Sequence, residues 1–118
     1  MSWFTEKLET MEDVRKKDMS AAAVYRRGDT ELPVNATIGE TSFRALDENG
    51  FSVLLHSRDF IFSAAETASL GRPRRGDEVV FNGFVHEVSE FNNEPCWKWS
   101  DAAQTAYRVH TKQIEEET

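Results

Sequence analysis

The sequence predicts a mainly β fold, an antiparallel β-sandwich or small barrel of six to eight strands with an N-terminal α-helix. Three observations carry that expectation. Turn residues recur roughly every 8 to 12 positions between short apolar runs, the spacing of sandwiches and barrels. Two Asn-Gly pairs, Asn49-Gly50 and Asn82-Gly83, fall between such runs and tolerate the positive φ of a tight hairpin. Helical spacing is confined to the first residues. The expected organisation is an amphipathic helix or arm over 1–19, a β domain over 20–114, and a disordered acidic tail over 115–118.

Residues 3–18, "WFTEKLETMEDVRKKD", place Phe4, Leu8, Met11 and Arg15 on one stripe, with Trp3 and Val14 beside it. Acidic residues lead, and Arg15, Lys16 and Lys17 close the segment, an order that suits the helix dipole. Gly28-Asp29 separates the first two strand-like runs. In the second run Val34, Ala36 and Ile38 share one parity, and Thr41, Phe43 and Ala45 the other. The switch at Gly39-Glu40 predicts a bulge or a bend between two sheets. Asp47-Glu48-Asn49-Gly50 is a hairpin turn, after which Phe51, Val53 and Leu55 alternate with Ser52 and His56 as in a half-buried strand. Residues 59–71, "DFIFSAAETASLG", fit an irregular loop or a short helical turn. Pro73 to Gly76 reads as a turn, Val79 to Phe81 as a strand, Asn82-Gly83 as a hairpin and Phe84 to Phe91 as its return. "FNNEP" is a loop, and "CWKWS" and "TAYRVHTKQI" are the last two strands.

Composition limits the functional classes. The chain has 118 residues, the size of one domain, and only 39% of them are hydrophobic, but eight Phe, three Trp and two Tyr supply large buried areas. The formal charge of −7 opposes phosphate backbones and anionic membranes. Cys96 is the only cysteine, so no intrachain disulfide forms. The first residues lack the basic-then-apolar pattern of a signal peptide. No apolar stretch approaches the ~20 residues of a membrane helix. These features predict a soluble protein of a reducing compartment.

Arg75-Gly76-Asp77 matches an adhesion triplet, but an adhesion signal requires export. A phosphate cradle requires more glycines and a following helix. The triplet reads instead as a turn, with Gly76 in a conformation closed to other residues and Arg74, Arg75 and Asp77 facing water. His56, Asp59, His86, Cys96 and His110 stand at no recognised metal-ligand spacing. No Gly-x-Ser-x-Gly or Walker loop is present, and Cys96 reads as a small buried hydrophobe. Trp97 and Trp99 share one face of an extended strand. They close the core, anchor a protein interface, or stack single-stranded bases as in nucleic-acid-binding barrels, and the acidic charge ranks these in that order. No catalytic, cofactor-binding or metal residue is assigned, and no cofactor is expected.

Three blocks in order carry a family resemblance: "HSRDFIF" (56–62), "PRRGDEVVFNGFVHEV" (73–88) and "EPCWKWSDAAQTAYRVHTKQI" (94–114). Together they resemble the small head–tail joining proteins of tailed bacteriophages and prophages, similar to the lambda-type head–tail attachment protein. The likeness covers residues 20–114 in outline, with the helix in its expected place. It implies a structural, non-enzymatic virion protein with a mostly β fold and mobile loops. The implied partners are the phage portal or connector and tail proteins. The implied assembly is a homo-oligomeric ring at the neck, formed from a subunit that is monomeric in dilute solution. DNA would pass through the lumen without specific binding, which suits the acidic charge. The implied location is the virion, and the host bacterial cytoplasm during assembly. Residues 59–72 and 91–95 are expected to be loops free to order on contact. The competing reading is a single-stranded nucleic-acid-binding barrel using Trp97 and Trp99.

Overall fold

The structure, a computed structural model, describes residues 20–116. The helix expected over 3–18 lies outside the described residues. The chain forms β1 (Ser20–Arg27), β2 (Thr30–Leu46), β3 (Ser52–Ser63), a 3₁₀ turn (Ala64–Thr67), β4 (Glu78–Phe81), β5 (Phe84–Val88), β6 (Trp97–Trp99) and β7 (Ala106–Glu116). All strand pairs are antiparallel and belong to one sheet of order β3-β2-β1-β4-β5-β7-β6.

One further pairing, β3 with β7, closes that sheet on itself. The ring β1-β2-β3-β7-β5-β4 is a six-stranded barrel. Closure removes most exposed strand edges and lets every inward side chain reach a common core. β7 is the seam. Its residues 106–111 pair with β3 on one edge, while β6 and β5 follow one another along the other edge. The fold is thus mainly β with seven strands, and the barrel, not the sandwich, is realised.

The core follows from strand alternation. Val34 and Ala36 on β2, Phe60 and Phe62 on β3, Tyr25 on β1, Val79 on β4, Val88 on β5, and Tyr107 and Val109 on β7 are all buried and in one cluster. Tyr25 and Tyr107 each pack an edge or tilted ring on Phe62, at 5.5 and 5.9 Å between centroids. The hairpins form where Asn-Gly predicts them. Asn82 and Gly83 both have positive φ, and Gly50 sits at +83° behind a turn whose Asp47 Oδ1 accepts from the backbone of Asn49 and Phe51.

Three sequence expectations are corrected. Residues 59–63 are strand, not loop: Asp59, Phe60 and Phe62 are buried on both faces of β3, which hides the alternation that would have marked it. The helical turn that follows is set by a capping box, with Ser63 Oγ accepting from Ala65 and Glu66 accepting from Ser63. The parity switch at Gly39 is not a bulge, because β2 residues 37–46 pair with β3 residues 61–52 without a register shift. Before Gly39 the even positions face the barrel core. Beyond it the opposite face is covered, by Phe91 and His110 packing on Phe43. The real bulge lies on β7, where Ile114 is skipped between Glu115 and Gln113 opposite Val85/His86 of β5. Finally, Glu115 and Glu116 are not part of a tail: they pair with Val85 and Phe84.

Candidate interaction surface

β2 and β3 outrun the barrel. β1 covers β2 only up to Thr37, and β7 covers β3 only from Arg58 onward. Among the described residues, 38–57 therefore form a two-stranded arm, roughly 30 Å long at about 3.3 Å per residue. Its tip carries Leu46, Phe51 and Leu54 at 73, 68 and 53% exposure. Exposed apolar residues grouped on a projecting element mark a contact surface. The expectation that Phe51 and Leu55 are half-buried fails here, since the strand has left the body; only Val53 is partly covered.

One face of the arm is held firmly as far as Arg44, the cross-strand partner of Leu54. The Phe43 ring stacks on Phe91 at 5.2 Å and meets the edge of His110 at 5.2 Å. Asn92 Nδ2 donates to the Arg44 carbonyl at 2.5 Å. In the segment 91–95, expected as a loop free to order on contact, Phe91 and Asn92 are thus committed to this clamp, and Phe91 bridges to Glu94.

Beneath the clamp lies a buried polar cluster on Asp59. Its carboxylate accepts from Thr41, from Ser57, from His110 Nδ1 at 2.8 Å and from Arg108 Nε at 2.6 Å. Burial pushes the Asp59 carboxyl up, but these four donors outweigh it and hold the group well below the usual carboxylate range. Ser, His and Asp do meet here, yet the geometry is not that of a nucleophile relay. Ser57 Oγ donates to the same Asp59 oxygen that faces His110 Nδ1, and all three residues are buried. The cluster joins β2, β3 and β7. Gly39 is part of it: a Cβ there would lie 3.0 Å from the Arg108 guanidinium.

The Arg75-Gly76-Asp77 triplet is a turn, with Gly76 at φ +95° and its N–H bonded to the Val88 carbonyl at 2.9 Å. Asp77 does not face water, as expected from sequence, but is only 4% exposed. It accepts two hydrogen bonds from Arg27, one from the Tyr25 hydroxyl and one from the Arg74 N–H. Burial pushes Tyr25 far above the ordinary tyrosine value, and the Asp77 carboxylate adds to that. Arg27 also donates to the carbonyls of Leu70 and Arg72, fixing the 68–76 loop.

Trp97 and Trp99 pack on the core. Trp99 stacks on Tyr107 at 5.0 Å, Trp97 meets Tyr107 and Trp99 edge-on, and the Arg72 guanidinium lies 5.6 Å from the centre of the Trp97 ring. Tyr107 covers one face of Trp99 and Arg72 lies over Trp97, so both rings are engaged with the body of the protein and the nucleic-acid reading is not favoured. Cys96 is buried in the same cluster, and burial pushes its thiol up. Of the three histidines, His110 serves Asp59, His56 contacts Glu40 and Ser42, and His86 lies under Phe60. Among the described residues, no group of three or more His, Cys, Asp or Glu side chains is placed to hold a metal, and no helix is long and apolar enough to cross a membrane.

A family model for phage head-tail joining proteins matches residues 1–118, the whole chain. The chain belongs to that family. As a head-tail joining protein it is a structural virion component that interacts with phage head and tail components. No match was found among curated proteins. The feature of this joining protein that sequence reasoning missed is the arm. Its one signal was Leu46 and Phe51 flanking a hairpin turn, apolar residues where an ordinary turn carries polar ones.

Proposed function

We propose that this head-tail joining protein assembles as a ring at the neck of the particle, bound to the portal or connector on one side and to the tail on the other. The arm carries this reading. A closed barrel is a rigid body with little edge to offer, so contact must be made by what extends from it, and the arm of residues 38–57 ends in Leu46, Phe51 and Leu54, all bare. The subunit is a monomer in dilute solution, because three exposed side chains bury too little area for a stable dimer, and it is ordered into a ring by its template. It joins that template in the host bacterial cytoplasm. The net charge of −7 lets DNA pass the assembled channel without being held.

The test is complementation of a phage lacking this gene with a Leu46→Ser, Phe51→Ser, Leu54→Ser triple variant. The expected result is filled heads and finished tails that stay separate, with the folded variant absent from the neck in electron micrographs. Joined, infectious particles at the wild-type yield would overturn the role given to the arm.

A further inference from the structure

At the open end of the barrel, by the root of the arm, lies a cleft of about 540 Å³. Ile38, His56, Arg58, His86, Thr111 and Lys112 line it. Two observations there stand apart from anything the arm explains. His86 is 3% exposed, and its Nδ1 is a buried polar atom with no hydrogen-bond partner. Arg58 is exposed, and its guanidinium makes no hydrogen bond or ion pair with the described residues. A buried nitrogen left unbonded costs the fold about 1–3 kcal/mol and calls for an explanation. The free Arg58 guanidinium acts on the same ring, its charge adding to the burial that disfavours the protonated imidazole.

We propose that this cleft is a carboxylate-binding site for an acidic peptide segment of a protein partner. Arg58 is the anchor, since its planar fork matches a carboxylate. Lys112 stands beside it, held only by a 3.9 Å ion pair to Glu87. The His86 ring forms part of the lining. Ile38 supplies apolar contact for the stem of a Glu or Asp side chain. The site is selective by its own acids. Glu40, 3.0 Å from His56 Nδ1, and Glu87 flank the two cations. An isolated carboxylate fits between them, whereas the continuous charge of a nucleic acid strand meets both, and Trp97 and Trp99 are engaged with Arg72 and Tyr107. The assignment does not depend on the ring reading.

The experiment is an NMR titration of the full chain at low salt, following the His86 ring and the Arg58 side chain. The probes are a capped peptide of glutamates, the matching glutamine peptide, inorganic phosphate and a single-stranded oligothymidylate. The expected result is saturable shifts at both residues with the glutamate peptide alone. Arg58→Ala with Lys112→Ala should weaken binding at least tenfold and leave thermal unfolding unchanged, while Arg58→Lys should recover part of it. Equal shifts with phosphate would reduce the site to a general anion site, and stronger shifts with the oligonucleotide would assign it to nucleic acid; either overturns the proposal. So do shifts with the glutamine peptide, or no shift at His86 with glutamates.

Discussion

Arg27 grips Asp77 with two parallel hydrogen bonds, Nε to Oδ1 at 2.9 Å and Nη2 to Oδ2 at 2.8 Å. The pair ties β1 to the turn before β4 across 50 residues of sequence. Removing one partner leaves the other charge desolvated. Asp77→Ala is therefore expected to cost about 3 kcal/mol, read as a fall in the urea midpoint. Tyr25→Phe, which deletes one neutral donor to the same carboxylate, should cost only about 1 kcal/mol. Equal losses from the two would show that Arg27 contributes nothing.

Stability should fall in acid, and the sign is fixed by two carboxylates. Both Asp59 and Asp77 lie below the usual range in the fold, their donors outweighing the upward push of burial. In the unfolded chain each titrates near about 3.9. Below that value the unfolded state binds more protons than the native state, so stability rises with pH there. The contribution is complete above about pH 5 and drains away as the pH drops through the folded values. Asp59→Asn should be less stable at neutral pH and show a shallower acid limb in unfolding midpoints measured from pH 7 downward. An unchanged limb would remove Asp59 from this account.

Gly39 is needed for space, not for backbone freedom. Gly39→Ala puts a methyl group 3.0 Å from the Arg108 guanidinium and should cost about 1–3 kcal/mol. In a double-mutant cycle with Arg108→Ala the two losses should be less than additive. Strict additivity in chemical denaturation would place the cost elsewhere.

The arm should separate stability from joining. Leu46→Ser, Phe51→Ser and Leu54→Ser should each change unfolding free energy by no more than about 0.5 kcal/mol. Phe43→Ala, at the clamp, should cost about 3 kcal/mol. Denaturant curves check both, and a large loss from a tip substitution would mean the tip packs on the body.

Single-stranded DNA should leave the emission of Trp97 and Trp99 unchanged in a Trp3→Phe background, since Tyr107 and Arg72 already cover those rings. Saturable quenching would restore the nucleic-acid reading.

How much of this was legible in sequence depends on whether the signal was local. Asn82-Gly83, Asp47 to Gly50 and Gly76 each encode their own backbone, and all three turns were readable. Phe60 and Phe62 were not readable as strand, because the charged pair Arg58-Asp59 runs straight into the unbroken apolar run Phe60-Ile61-Phe62 and no alternation shows. Asp59 is buried only because Arg108, His110 and Thr41 arrive from distant strands. Asp77 failed in the same way: a charged residue in a charged turn reads as solvated until Arg27 and Tyr25 are brought over it. The cleft at His86 was invisible for that reason too. The arm was half legible, as its turn was encoded, but the length by which β2 overshoots β1 is a property of pairing and has no local mark.

That overshoot has a mechanical consequence. β3 is zipped to β2 along one edge and, from Arg58 to Ser63, to β7 along the other. A pull on the tip along the strand axis is thus borne by many hydrogen bonds loaded side by side, in shear, and none can open before its neighbours share the strain. Tension applied at Phe51 reaches the barrel seam without first peeling the hairpin. Such a subunit would transmit force between the bodies it connects and not stretch between them.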